Sequence, residues 1–242
     1  GDVYKRQKMG CMKPTKTLRG QLFRLTGPIF VETLLIMLLG AMDTFMLSHY
    51  SDDTVAAVGV VNQLLSLVFL VFGVSTVGTS VLCSQYLGAS QQANVRQVIG
   101  VSLFFNTLIG VTTSAFLYFR AEALLKIMDL APELIDEGLA YMQIVGGFAF
   151  LQAIALTMSA VLRSHNKAYY PMRVTLLMNV LNIIGNYALI FGKFGLPQMG
   201  VVGAAISTSS CRAVALALLL YITFGKVVPR FSFCLLYTSP SP

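Results

Sequence analysis

The sequence predicts an all-α, polytopic membrane protein of six transmembrane helices, and three observations carry that reading. Hydrophobic residues make up 56% of its 242 residues and charged residues only 11%. With a mean hydropathy of +0.74, it departs from soluble domains, which carry about 25% charged residues. The apolar residues gather into six runs, each long enough to cross ~30 Å of hydrocarbon at 1.5 Å per residue. The charges outside those runs separate by side when each run is counted as one span.

The first run covers residues 25–47 and ends at Ser51-Asp52-Asp53; the second, 55–82, ends before Gly88-Ala89-Ser90. The third, 95–119, is followed by a polar stretch containing Ala131-Pro132-Glu133. The fourth is read as one continuous helix over 139–162 and closes at Asn166-Lys167. The fifth, 171–191, meets Gly195-Leu196-Pro197, and the sixth runs over 201–224. Each break holds residues that favour turns or cannot continue a helix.

With the N-terminus placed in the cytoplasm, eleven basic residues from Lys8 to Arg230 fall on the inner side. Only Arg120, Lys126 and Lys193 fall outside, together with all seven loop carboxylates (Asp52, Asp53, Glu122, Asp129, Glu133, Asp136 and Glu137). Basic residues favour cytoplasmic loops, so miscounting the spans by one would scramble this separation. The same topology accounts for the net charge of +7. No aromatic-basic module accompanies the charge, which excludes a nucleic-acid partner.

The two ends read as foreign. Asp2 to Gln7 can be encoded by GAT GTG TAT AAG AGA CAG, whose reverse complement, one base out of frame, encodes Cys234 to Thr238 and begins Ser239. One inverted DNA element resembling a sequencing or transposon adaptor explains both ends, so 1–7 and 234–242 are set aside as scars. The expected organisation is then a cytoplasmic segment at 8–24, a six-helix bundle at 25–226 and a cytoplasmic segment at 227–233. The natural protein is expected to extend past this fragment.

Cys11, Cys83 and Cys211 have no paired spacing and no surrounding ligand cluster, so neither a disulfide framework nor a zinc site is expected. His49 and His165 fall at loop edges and are assigned no chemistry. No nucleophile–histidine pair, GxSxG or HExxH is present, which disfavours an intramembrane enzyme.

Three ionisable residues lie inside the predicted spans: Glu32 and Asp43 in the first and Arg212 in the sixth. A charge at bilayer depth costs at least about 2.5–3.5 kcal/mol, so each should face a cavity or a partner. Glu32 and Asp43 share a helix face but lie roughly 16 Å apart along it, too far to form one paired-carboxylate site. Asp43 lies near the outer end, where an interfacial anion is the plainer reading. Glu32 and Arg212 are expected to compensate each other as a buried ion pair, or to act in transport. In the fifth span Asn179, Asn182 and Asn186 recur, the last two on one face. Their oxygens suit cation coordination or interhelical hydrogen bonds, and spacing alone favours packing. Asn62, Ser75, Thr79, Asn106, Ser207 and Thr208 are read as packing or cavity lining.

Several segments in order bear a family likeness. Gly40-Ala41-Met42-Asp43-Thr44-Phe45-Met46, Val55-Ala56-Ala57-Val58-Gly59 and Ser84-Gln85-Tyr86-Leu87-Gly88-Ala89 are followed by Leu162-Arg163, Pro171-Met172 and the asparagine-bearing span. Gly192-Lys193-Phe194-Gly195 and Gly200-Val201-Val202-Gly203-Ala204-Ala205 complete the series. Taken in order across residues 18–226, they resemble the N-terminal half of the multidrug and toxic compound extrusion (MATE) family. The resemblance implies a twelve-helix transporter of two six-helix bundles, with this chain as the first (the N-lobe) and a missing C-terminal half as its partner. It implies exchange of a proton or sodium ion for a small organic, often cationic, compound by alternating access, in a bacterial cytoplasmic membrane and with no cofactor. The family's N-lobe cation site falls on Asp43, Asn182, Asn186 and Thr208, with sodium at Asp43 the one metal to consider. Some members carry an acidic residue where Asn186 stands, so this sequence lacks a charged ligand that a high-affinity sodium site would use. A lipid-linked oligosaccharide flippase of the same superfamily is the competing reading, disfavoured by the Asp43 segment.

Overall fold

The computed structural model describes residues 16–193, 195 and 197–228. The expected scars, residues 8–15 of the N-terminal segment and residues 229–233 lie outside the described residues. Eight helices follow one another: α1 (Lys16–Ser48), α2 (Asp52–Gly88), α3 (Gln92–Phe119), α4 (Ala121–Ile127), α5 (Ile135–Gly147), α6 (Ala149–Ser164), α7 (Tyr169–Ile190) and α8 (Gly200–Ile222). A 3-10 turn at Pro132–Leu134 leads into α5, and a π turn at Thr223–Val227 ends α8. No strand occurs among the described residues.

Five of these helices are long and apolar enough to cross a membrane singly: α1 over Thr26–Ser48, α2, α3, α7, and α8 with its π turn. The sixth crossing is α5 and α6 taken together, bent by 41° at Phe148. The continuous fourth helix expected over 139–162 is therefore corrected to a broken one. Gly146 and Gly147 both have weak helix propensity, and each is packed against α3. A Cβ on Gly146 would stand 3.2 Å from Leu117 Cβ, and one on Gly147 3.3 Å from Tyr118 Cδ2. The Phe150 N–H, displaced from the regular helical ladder, donates instead to Ser114 Oγ on α3 at 2.9 Å. A side chain thus meets the backbone demand that the break creates.

Large apolar side chains point away from the bundle, among them Leu70 (67% exposed), Val74 (70%) and Phe119 (80%). Water would not tolerate such a surface on a soluble domain, whereas hydrocarbon does. Inside, α2, α3 and α6 pack closely on one another, α7 packs against both α1 and α8, and α5 touches α2, α3 and α8. The main core joins Leu47, Val61, Leu65 and Phe72 with Leu117, Met142, Val145, Ile190 and Ala205.

α7 and α8 approach each other most closely at glycines. A Cβ on Gly203 would lie 2.7 Å from the Leu189 carbonyl, and one on Gly185 2.5 Å from Ser207 Oγ. Small residues let helix backbones come together in this way. At one end of the bundle Gly200 (φ 52°) lies under the Tyr50 ring, 2.7 Å from where its Cβ would be, so the end of α1 adjoins the start of α8. At the other end α6 finishes beside the first half of α1, where Arg163 of α6 reaches Glu32.

Candidate functional site

On α7, Asn182 and Asn186 are one turn apart and fully buried. Asn186 Nδ2 donates to Asp43 Oδ1 of α1 at 2.6 Å and to Asn182 Oδ1 at 3.1 Å. Asn182 Nδ2 in turn donates to Thr208 Oγ1 of α8 at 3.3 Å. Ser207 Oγ donates to the Asn182 carbonyl at 3.4 Å, fastening α8 to the same turn of α7. The four residues expected from the family likeness therefore form one hydrogen-bond chain across three helices. Asn179, a turn earlier, serves packing: its Nδ2 donates to the Leu35 carbonyl of α1 at 3.1 Å and to Thr175 O at 3.0 Å.

Asn186 donates both to the Asp43 carboxylate and to Asn182, and Asn182 donates on to Thr208, away from Asp43. The 2.6 Å contact to Asp43 is short, as charge-assisted bonds are. Asn186 Oδ1 is buried with no hydrogen-bond partner among the described residues. Rotation of that amide would bring Oδ1 to the Asp43 carboxyl group. Two oxygens can face each other at that distance only with a proton between them. The spare amide oxygen beside a carboxylate is thus compatible with proton binding, whereas a metal cation would need the two groups to move apart.

The expected pair of Glu32 with Arg212 is corrected. Glu32, 6% exposed, receives two hydrogen bonds from Arg163 Nη1 of α6, at 3.1 and 3.2 Å. In the sequence Arg163 reads as a loop cation, because it follows the last apolar residue of the fourth run. It occupies the last turn of α6, and a long Arg stem lets the head group reach back along the bundle.

Arg212 lies elsewhere, one turn beyond Thr208 on α8. Its guanidinium carbon stands 5.0 Å from the centre of the Phe69 ring of α2. It forms no ion pair with any described carboxylate, and its buried Nη1 has no hydrogen-bond partner among the described residues. The ring contributes about 0.5–2 kcal/mol. That falls short of the ~2.5–3.5 kcal/mol cost of a cation at mid-helix. The charges of Asp43 and Arg212 act on each other, and both act on the Tyr141 hydroxyl of α5. That hydroxyl donates to Asn62 Oδ1 of α2 at 3.4 Å. Sequence reasoning missed Tyr141 and Phe69 as neighbours of Arg212, since nothing in their spacing marks them off from core aromatics.

Of the remaining expectations, Cys83 and Cys211 are buried and free. No group of His, Cys, Asp or Glu among the described residues could hold a metal by itself. His49 and His165 hydrogen-bond through Nδ1 to carbonyls of their own helices. Thr79 Oγ1 donates to Ser75 O at 3.4 Å, and Asn106 is buried without a partner for either amide atom among the described residues.

Six apolar crossings around a polar hydrogen-bond chain define a polytopic membrane protein with an ionisable group in its interior. The MatE family profile matches residues 28–188, well over half of the chain, and the chain belongs to the MatE family. An uncharacterized transporter, YisQ, of Bacillus subtilis (strain 168) is 43% identical over 211 residues, covering 87% of this chain and 46% of its own length. The probable multidrug resistance protein NorM of Thermotoga maritima is 35% identical over 225 residues, covering 89% of this chain and 48% of its own. Among solved structures, a MATE protein in its bent conformation superposes with a TM-score of 0.81 at 23% identity, over 92% of this chain and 49% of that one. The outward-facing conformation of a multidrug resistance MATE family transporter of the MOP superfamily gives 0.78 at 24% identity, over 91% and 48%. The chain spans about half the length of the curated relatives it matches. These relatives are named as transporters, not enzymes, and the similarity does not favour the flippase reading.

Proposed function

We propose that this chain is the N-terminal lobe of an antiporter that exports small organic, often cationic, compounds by alternating access, driven by a proton or a sodium ion. The observation that carries the reading is Asp43: a carboxylate inside the bundle, held by neutral amides and left without an ion-pair partner. Such a group can attract a cation when charged and release it when neutralised, and a change of surroundings between two conformations can shift that balance.

Asn186, Asn182 and Thr208 would follow the change. When Asp43 is charged, Asn186 donates to it, as in the structure. When Asp43 carries a proton, the amides can turn, so that the carboxyl O–H donates to Asn186 Oδ1, Asn182 Nδ2 donates to Asn186, and the Thr208 hydroxyl donates to Asn182. Each contact of the chain is kept with its direction reversed, while Asn186 Oδ1 stays without a partner among the described residues in the charged state. No cofactor enters this scheme, in which the coupling ion is cargo. The second lobe would come from a C-terminal half, since substrate paths in repeat-built transporters run between halves.

The excess of basic residues supports an orientation with the start of α1 and the Arg163 end on the cytoplasmic side of a bacterial inner membrane and Tyr50 and Gly200 outside. A cysteine placed at Glu133 should then react with impermeant reagents from outside. Labelling from the cytoplasm alone would overturn the orientation. Asp43→Asn in the full-length transporter keeps the shape and removes the titration. Normal membrane levels with lost drug resistance are expected, and undiminished ion-driven efflux would refute the role.

A further inference from the structure

The hydrogen-bond chain at Asp43 belongs to α1, α7 and α8, and a separate polar group is buried among α2, α3 and α6. Asn106 of α3 is 1% exposed, and neither its Nδ2 nor its Oδ1 has a hydrogen-bond partner among the described residues. The packing of α3 on α6 fixes what it faces. A Cβ on Gly110 would stand 3.1 Å from Ala153 Cβ, and the Phe150 N–H donates to Ser114 Oγ, so the two helices run antiparallel in a defined register. One turn back along α3 and one turn on along α6, that register sets Asn106 opposite the fully buried Thr157. The third side comes from α2, which runs parallel to α6 and meets it where the Ser80 and Ser164 hydroxyls stand 3.3 Å apart. The same offset brings the Gly73–Thr76 turn level with Thr157, and Thr76 is buried as well.

Both threonine hydroxyls spend their protons on their own helices: Thr157 Oγ1 donates to Ala153 O at 2.9 Å and Thr76 Oγ1 to Gly73 O at 2.8 Å. They therefore face the amide as acceptors, with lone pairs to spare. A group seated among the three must accept from Asn106 Nδ2 and donate to Asn106 Oδ1 and to a threonine oxygen. A metal cation would be repelled by the amide N–H, and no carboxylate offsets its charge at this level: α3 and α6 carry none, and α2 only Asp52 and Asp53 in its first turn. Water both donates and accepts, and a buried water meets two to four such partners. We propose that Asn106, Thr157 and Thr76 hold one buried water at mid-span. The site lies about 12 Å along α3 from the Ser114 bond at the Phe148 break, so the bent span is fastened to α3 directly at its break and through water below it. It relieves the amide of the cost that an unmet polar group carries at membrane depth.

The test is a structure of the full-length transporter at a resolution that shows ordered water, solved once in sodium buffer and once in choline buffer. A density peak about 2.7–3.2 Å from both Asn106 amide atoms and from Thr157 Oγ1 is expected in both, and it should be absent in Asn106→Leu. No peak there while other buried waters are visible, a direct bond from Asn106 to a protein group, or a peak that disappears with sodium would overturn the site. Thermal melting gives a second readout. Asn106→Leu should lower the apparent melting temperature, and adding Thr157→Val should lower it by less than the sum of the two, because both lose the same water. A melting temperature unchanged or raised in Asn106→Leu would mean that the amide holds nothing, since replacing an unmet polar group by an apolar one removes a cost. Strictly additive losses would equally contradict a shared water. Should Asn106→Leu not fold, the wild-type peak and its displacement in Thr157→Val decide alone.

Discussion

Eleven residues separate Glu32 from Asp43 on one face of α1, yet Glu32 is held by a guanidinium from α6, whereas Asp43 is met by amide N–H groups from α7. A fixed cation beside a buried carboxylate ties it to one partner. Neutral donors leave it free to trade their support for a proton or a metal ion. On the proposed function, one helix carries both a structural tie at Glu32 and an exchangeable site at Asp43. Glu32 joins α1 to the α2–α3–α6 group at one end, and Asp43 faces α7 and α8 near the other.

That contrast predicts opposite phenotypes. Arg163→Gln strands Glu32 without its cation. Removing one partner of a buried pair costs 3–5 kcal/mol, and because Arg163 is 27% exposed the lower figure, about 3 kcal/mol, is expected. The apparent melting temperature of the full-length protein should fall, Glu32→Gln on top should restore part of the loss, and competition between ions and substrate should persist. Additive losses would argue against the pair.

Asn186→Leu should cost somewhat less, about 2 kcal/mol, by removing the donor to Asp43. Unlike Arg163→Gln, it should alter the pH or sodium dependence of substrate binding. A melting shift with unchanged ion dependence would make the amide a packing residue only.

The six crossings were legible because apolar length and charge placement are local properties of the chain. The break at Phe148 was not: Gly146 and Gly147 are unremarkable in an apolar run until Leu117, Tyr118 and Ser114 are seen against them. Spacing placed Asn182 and Asn186 on one face but could not say which helices they met, and the family likeness supplied Asp43 and Thr208. The Glu32 partner was misread because two candidate cations lay on different helices, and their depths depend on packing that the sequence leaves open.

Gly203→Ala sharpens the comparison from the scaffold side. Its Cβ would press on the Leu189 backbone, 2.7 Å away, forcing α7 and α8 apart. A cost of about 1–2 kcal/mol is expected. Because α7 and α8 carry the amide chain, ion dependence should change with stability. An unaltered melting temperature would show that the two helices have slack. Thr208→Val should have the smallest effect, below about 1 kcal/mol, since it removes one neutral hydrogen bond at the far end of the chain. A larger loss than that of Asn186→Leu would mean that the site is centred on α8 rather than on Asp43.

The central claim is that Asp43 is exchangeable and Glu32 is not. Binding of an organic cation to the full-length transporter, measured against pH and sodium concentration, tests it directly. Protons or sodium should compete with the organic cation in wild type and in Glu32→Gln, and the competition should vanish in Asp43→Asn. Competition that survives in Asp43→Asn, or disappears in Glu32→Gln, would contradict the account.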